Sequence, residues 1–78
     1  MAFEDAASVF SDPFAITFPD PDHSVEEPRE ITIGRTIEGR VVFIAHCERG
    51  ERTRIISARL ATPAERKEYE EGTRDETR

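Results

Sequence analysis

Near the start of the chain the apolar residues Phe3, Ala6, Ala7 and Phe10 recur at i, i+3, i+4 and i+7. That spacing gathers side chains on one stripe of an α-helix. Ser11-Asp12-Pro13 ends the pattern, because proline lacks an N–H and its ring obstructs the preceding turn. Phe14-Ala15-Ile16-Thr17-Phe18 is short, rich in β-formers and bounded by prolines, which predicts a strand at the edge or end of a sheet. From Pro19 to Pro28 prolines and acids leave little to bury, and a surface loop is expected.

The clearest pattern runs from Arg29 to Leu60. Ile31-Thr32-Ile33 precedes a turn at Thr36-Ile37-Glu38-Gly39; Val41 to His46 follows; Glu48-Arg49-Gly50-Glu51 then leads into Thr53 to Leu60. Connections this short force antiparallel neighbours. Val41 to Ala45 is apolar at every position instead of alternating, so it is expected as the middle strand of a meander, covered on both faces, with helices on at least one side. Thr62-Pro63-Ala64-Glu65 opens the last element: Thr62 can cap a helix, Pro63 suits its first position, and Glu65 can complete a capping box. Gly72 reads as its stop, leaving residues 73–78 as a flexible tail.

Composition narrows what such a chain can be. Seventy-eight residues, 36% hydrophobic and 36% charged, allow one domain (residues 1–72) with a thin core that a partner can complete. Cys47 is the only cysteine, which excludes an internal disulfide, and no stretch approaches the roughly 20 apolar residues that span a bilayer. The opening Met1-Ala2-Phe3-Glu4-Asp5 is acidic and lacks the long apolar run of a secretion signal, so a cytoplasmic protein is expected. Charge is uneven. Residues 1–30 carry a net −7, residues 31–66 a net +3 and residues 67–78 a net −2, within a total of −6. An acidic chain can thus present a locally basic surface to nucleic acid.

Most catalytic patterns are absent. Cys47 has no cysteine partner, and His23 and His46 fall in different elements without metal-site spacing, so neither metal nor cofactor is expected. The glycines are scattered, with no phosphate-binding loop. His46 and Cys47 adjoin on a strand and therefore diverge to opposite faces, which leaves Cys47 as a small semi-buried residue and not a nucleophile. Arginine remains. Arg59 ends the strand Arg54-Ile55-Ile56-Ser57-Ala58-Arg59, and Arg66 lies in the first turns of the helix that follows. With Arg29 these can converge into a cation cluster whose planar forks suit a phosphodiester and stabilise the charge of its transition state. The alternative reading is surface arginines paired with Glu65, Glu68 and Glu70.

Beyond these patterns, Phe3-Glu4-Asp5-Ala6-Ala7-Ser8-Val9-Phe10, Asp20-Pro21-Asp22-His23-Ser24, Arg29-Glu30-Ile31-Thr32-Ile33-Gly34-Arg35, Gly39-Arg40-Val41-Val42 and Arg54 to Arg59, with Ala61-Thr62, Glu65-Arg66 and Tyr69, resemble the BrnT family of type II toxins from about residue 3 to residue 71. The resemblance implies an α+β, RelE-like fold: an antiparallel β-meander packed with an N-terminal and a C-terminal helix. It implies a metal-independent endoribonuclease that inhibits translation and is neutralised by a BrnA-type ribbon-helix-helix antitoxin. By position it makes Arg59, Arg66, Glu65 and Tyr69 the catalytic candidates, with the base open between Glu65 and a residue of the N-terminal stretch that similar proteins carry, and Arg29 and Arg54 the RNA-binding ones; His23 matches the pattern as well, and His46 receives no role. Similar proteins begin with a strand bearing Trp-Asp and a helix ending in Lys-His-Gly, and neither stretch is in this sequence. A member without its first strand and helix, with a sheet edge open to self-association or antitoxin, is therefore one expectation, and a start set too late is the other. A second functional reading is an inactive toxin-like module that binds antitoxin and modulates operon repression.

Overall fold

The computed structural model describes residues 3–21 and 28–76, with side chains at residues 4–21 and 28–72. Helix α1 (Phe3–Ala7) passes into a turn of 3-10 helix (Ser8–Ser11), followed by strands β1 (Ile16–Pro19), β2 (Arg29–Arg35), β3 (Val41–Arg49) and β4 (Arg52–Leu60), and helix α2 (Pro63–Glu76). The strands form one antiparallel sheet in chain order, β1-β2-β3-β4, so the α+β meander with a helix at each end is the observed architecture. The part of the expected 19–28 loop at residues 22–27, and His23 with it, lies outside the described residues.

Two apolar clusters sit on the two faces of the sheet. On one, Ala6 and Val9 pack against Val42 and Ile44, with Ala15, Ile55 and Ala58 around them. On the other, Tyr69 of α2 packs against Ile31, Ile33 and Val41, beside Ile16, Phe18, Phe43 and Ala61. The unbroken apolar run of β3 follows from this double cover. Ile55 and Ala58 are three residues apart yet share a face. A bulge makes that possible: Ala45 pairs with Ser57 and His46 with Ile55, so Ile56 is the extra residue.

Two expectations are corrected. The α-helical stripe holds only to Ala7; the tighter 3-10 turn carries Val9 under Ala6 into the core, while Phe10 is 42% exposed. Gly72 does not stop α2, which continues to Glu76. A Cβ at Gly72 would stand 3.3 Å from Ile16 Cγ2, so its small size serves the packing of α2 on β1. Gly34, next to the end of β2, is buried, and a Cβ there would come 2.7 Å from Val9 Cγ1 and 2.9 Å from Ala15 Cβ.

Candidate RNA-contacting face

Strand pairing places Arg59 opposite Phe43, and its guanidinium carbon lies 4.0 Å from the centre of the Phe43 ring. The chain then turns into α2, whose first residues close the expected capping box: the Glu65 N–H donates to Thr62 Oγ1 (3.2 Å) and the Thr62 N–H to Glu65 Oε1 (2.9 Å). The same Glu65 carboxylate accepts two bonds from Arg59, from Nη1 at 2.7 Å and Nη2 at 2.9 Å, and Nη1 also donates to the Leu60 carbonyl at 3.2 Å. Among the described residues Nε–H and the second hydrogen of Nη2, which lie side by side along the guanidinium edge, have no partner. That edge is a two-donor fork of the shape that takes a phosphate, on a side chain half exposed to solvent.

The pair changes the chemistry of both members. Hydrogen bonding from Arg59, reinforced by the Thr62 N–H and opposed by partial burial, holds the Glu65 carboxyl at a pKa of about 2. A carboxylate held this low is a weak proton acceptor near neutrality, and in this arrangement Glu65 orients Arg59. The hydrogen bond from Arg59 to Glu65 in turn raises the guanidinium above its ordinary value.

Tyr69 is 4% exposed, which leaves no ring face for a nucleotide base. Its hydroxyl donates to Asp12 Oδ2 at 2.7 Å, and Asp12 also accepts the Arg35 N–H at 2.8 Å and the Phe14 N–H at 2.9 Å. Burial works against charge on Asp12, but these three donors together hold its carboxyl below the usual carboxylate range. Burial, then the bond to Asp12, pushes the Tyr69 hydroxyl up. Tyr69 therefore positions α2 through Asp12, a partner that pattern reading missed.

Arg66 is exposed in the opening turns of α2. At about 100° per residue, Glu65 and Arg66 stand some 40° and 60° to either side of Tyr69, so both belong to the sheet-facing half of the helix. Arg29 does not join them. It pairs with Cys47, which pairs in turn with Arg54, four positions along β3 from the Phe43 row. At about 3.3 Å per residue and 4.8 Å per strand, the Arg29 and Arg59 Cα atoms are roughly 16 Å apart, which corrects the expected three-arginine cluster. What the fold builds instead is a row. Arg29, Arg54 and Arg59 lie along the face on which α2 packs, with exposed Ser57 between the latter two.

On the opposite face the register assembles a group that sequence spacing did not reveal. Glu30 pairs with His46, Glu48 follows two residues on, and donor atoms of the three all lie within 4.8 Å of one another.

Residues 1–65 match the family model described as "Ribonuclease toxin, BrnT, of type II toxin-antitoxin system". No curated protein matches the chain.

Proposed function

The chain belongs to the BrnT family of ribonuclease toxins of type II toxin-antitoxin systems, and from that premise we propose that it is a metal-independent endoribonuclease that inhibits translation in the cytoplasm and is neutralised by a BrnA-type antitoxin. The observation that carries the reading is the Arg59 guanidinium, seated on Phe43, gripped at one end by Glu65 and presenting its remaining edge to solvent. In this mechanism the 2′-hydroxyl oxygen of a ribose attacks the adjacent phosphorus. The bond to the 5′-oxygen breaks, giving a 2′,3′-cyclic phosphate and a 5′-hydroxyl, with water carrying the proton from the first oxygen to the second. Arg59 binds the phosphate and stabilises charge on the pentacoordinate centre, aided by Arg66; Arg54 and Arg29 hold flanking phosphates along the sheet. Glu65 and Tyr69 act as positioning residues. No described helix is long and apolar enough to cross a membrane, which is compatible with the proposed location.

Arg59→Ala is expected to abolish growth arrest and cleavage of RNA while leaving the circular dichroism spectrum unchanged; toxicity retained by a folded variant overturns the assignment. The Glu65 clamp also favours a second reading, an inactive module that binds antitoxin, since it neutralises the central cation. Purified chain that binds antitoxin but cleaves no RNA selects that reading. The outer edge of β4, with Ile56 37% and Leu60 56% exposed, supports antitoxin docking there, with self-association as the competing occupancy.

A further inference from the structure

On the face of the sheet turned away from Arg59, His46 is 2% exposed, and its Nδ1 is buried without a hydrogen-bond partner among the described residues. A buried polar atom left unpaired is costly and asks for an explanation. The surroundings of the ring are ordered. Nε2 is 2.7 Å from Thr32 Oγ1, which is 2.8 Å from Thr17 Oγ1, and Phe10 meets the ring edge-on at 5.1 Å. When Nε2–H donates to Thr32 and Thr32 donates to Thr17, the lone pair of the ring belongs to Nδ1. That nitrogen lies 3.8 Å from Glu48 Oε1, and the Glu30 carboxylate completes a trio within 4.8 Å. The Glu48 carboxylate is itself held by the Thr53 hydroxyl, at 3.1 Å and 3.0 Å from its two oxygens.

We propose that Glu30, His46 and Glu48 form a binding site for one divalent transition-metal cation, Zn²⁺ being the ion whose ligand preferences they match. One imidazole nitrogen and two carboxylates provide three protein ligands, and water completes a tetrahedron. The site also has the outer shell that such centres use: a hydroxyl on the second ring nitrogen, which selects the tautomer, and a hydroxyl on a ligating carboxylate. Bonds of about 2.0–2.2 Å require ligand atoms about 3.4 Å apart. Closing from the present separations needs only rotation of two glutamate side chains, of which Glu48 is 49% exposed and leaves a way in. A buried nitrogen donor disfavours Mg²⁺, which prefers six oxygens and keeps its water. Bound metal would tie β2 to β3, and through Thr53 to β4. Because this face is opposite Arg59, cation binding and RNA cleavage stand or fall separately.

Calorimetric titration of the purified full chain with ZnCl₂ at pH 7, with MgCl₂ in parallel, tests the proposal. The expected result is one equivalent of Zn²⁺ bound, no saturable Mg²⁺ binding, and a melting temperature raised by Zn²⁺. Glu48→Gln and Glu30→Gln should each weaken binding more than tenfold and remove the thermal shift; Thr53→Val should weaken it about tenfold through the outer shell. Cys47→Ala and His23→Ala should bind as the parent does. His46→Gln should not bind, but the glutamate variants carry the test if that buried change prevents folding. No saturable Zn²⁺ binding by the parent, or binding unaltered in both glutamate variants, overturns the proposal.

Discussion

Single residues here act through partners far away in sequence. Asp12 ties Arg35, 23 positions on, and Tyr69, 57 positions on. Tyr69→Phe removes one bond to a charged acceptor and should cost about 1.5 kcal/mol in urea unfolding, with secondary structure unchanged. Glu65 reports on pH. Its carboxyl is lowered from 4.5 to about 2 in the folded chain, so its stabilisation is complete above about pH 4.5 and disappears as pH falls through about 2. Glutamine at this position keeps the capping box through its one amide oxygen and loses the charge and the second acceptor that Arg59 Nη2 uses. The stability difference between the parent and Glu65→Gln should therefore be about 1 kcal/mol at pH 7, a small figure because the Arg59 side chain is 50% exposed, and should shrink between pH 4.5 and 2 in urea midpoints. Thr62 and Glu65 were legible in the sequence because a capping box is local. The Arg59–Glu65 pair was legible only as one of two alternatives, and Asp12 was not legible at all.

At the scale of elements, turn chemistry and close packing decide the register. Gly39 and Gly50 take positive φ, +88° and +62°, at the two hairpin turns where the sequence placed them. The β3–β4 turn is tighter than expected, so β3 reaches Arg49 and β4 begins at Arg52. Gly34 has a different reason to be glycine, since Val9 and Ala15 occupy the space a methyl group would need. Gly34→Ala should destabilise by about 1–3 kcal/mol in equilibrium unfolding, because one side of the clash is the buried turn at Val9. Helix α1 was read correctly in its place, but its second half, Ser8–Ser11, is 3-10 and not α-helix. Its inward face was misread, since a change from 3.6 to 3 residues per turn exchanges Phe10 for Val9, a choice made by fit against Val42 and Ile44.

For the whole molecule, a net charge of −6 coexists with an arginine row on one sheet face. Under the proposed function RNA affinity falls as salt rises, and each lost phosphate contact lowers the logarithmic slope by about 0.7 for a single strand. Arg54→Ala should reduce the slope by about that amount in fluorescence anisotropy, without altering the melting temperature. An unchanged slope would remove Arg54 from the interface. The two faces also separate two chemistries, phosphate contact beside α2 and the proposed cation trio beneath the 3-10 turn.

Apolar patterning, turn glycines and a local cap are short-range properties, and from them the sequence by itself determined the antiparallel β2-β3-β4 meander and the terminal helices, while its residue blocks carried the family likeness. Which arginines meet, which tyrosine is buried and which acids surround a histidine depend on strand register and on how helices settle across a sheet. Glu30 reaches His46 through a pairing 16 residues distant, and Arg29 misses Arg59 by four rows. Those distances come from the sum of many weak packing contacts, and only the folded arrangement decided them.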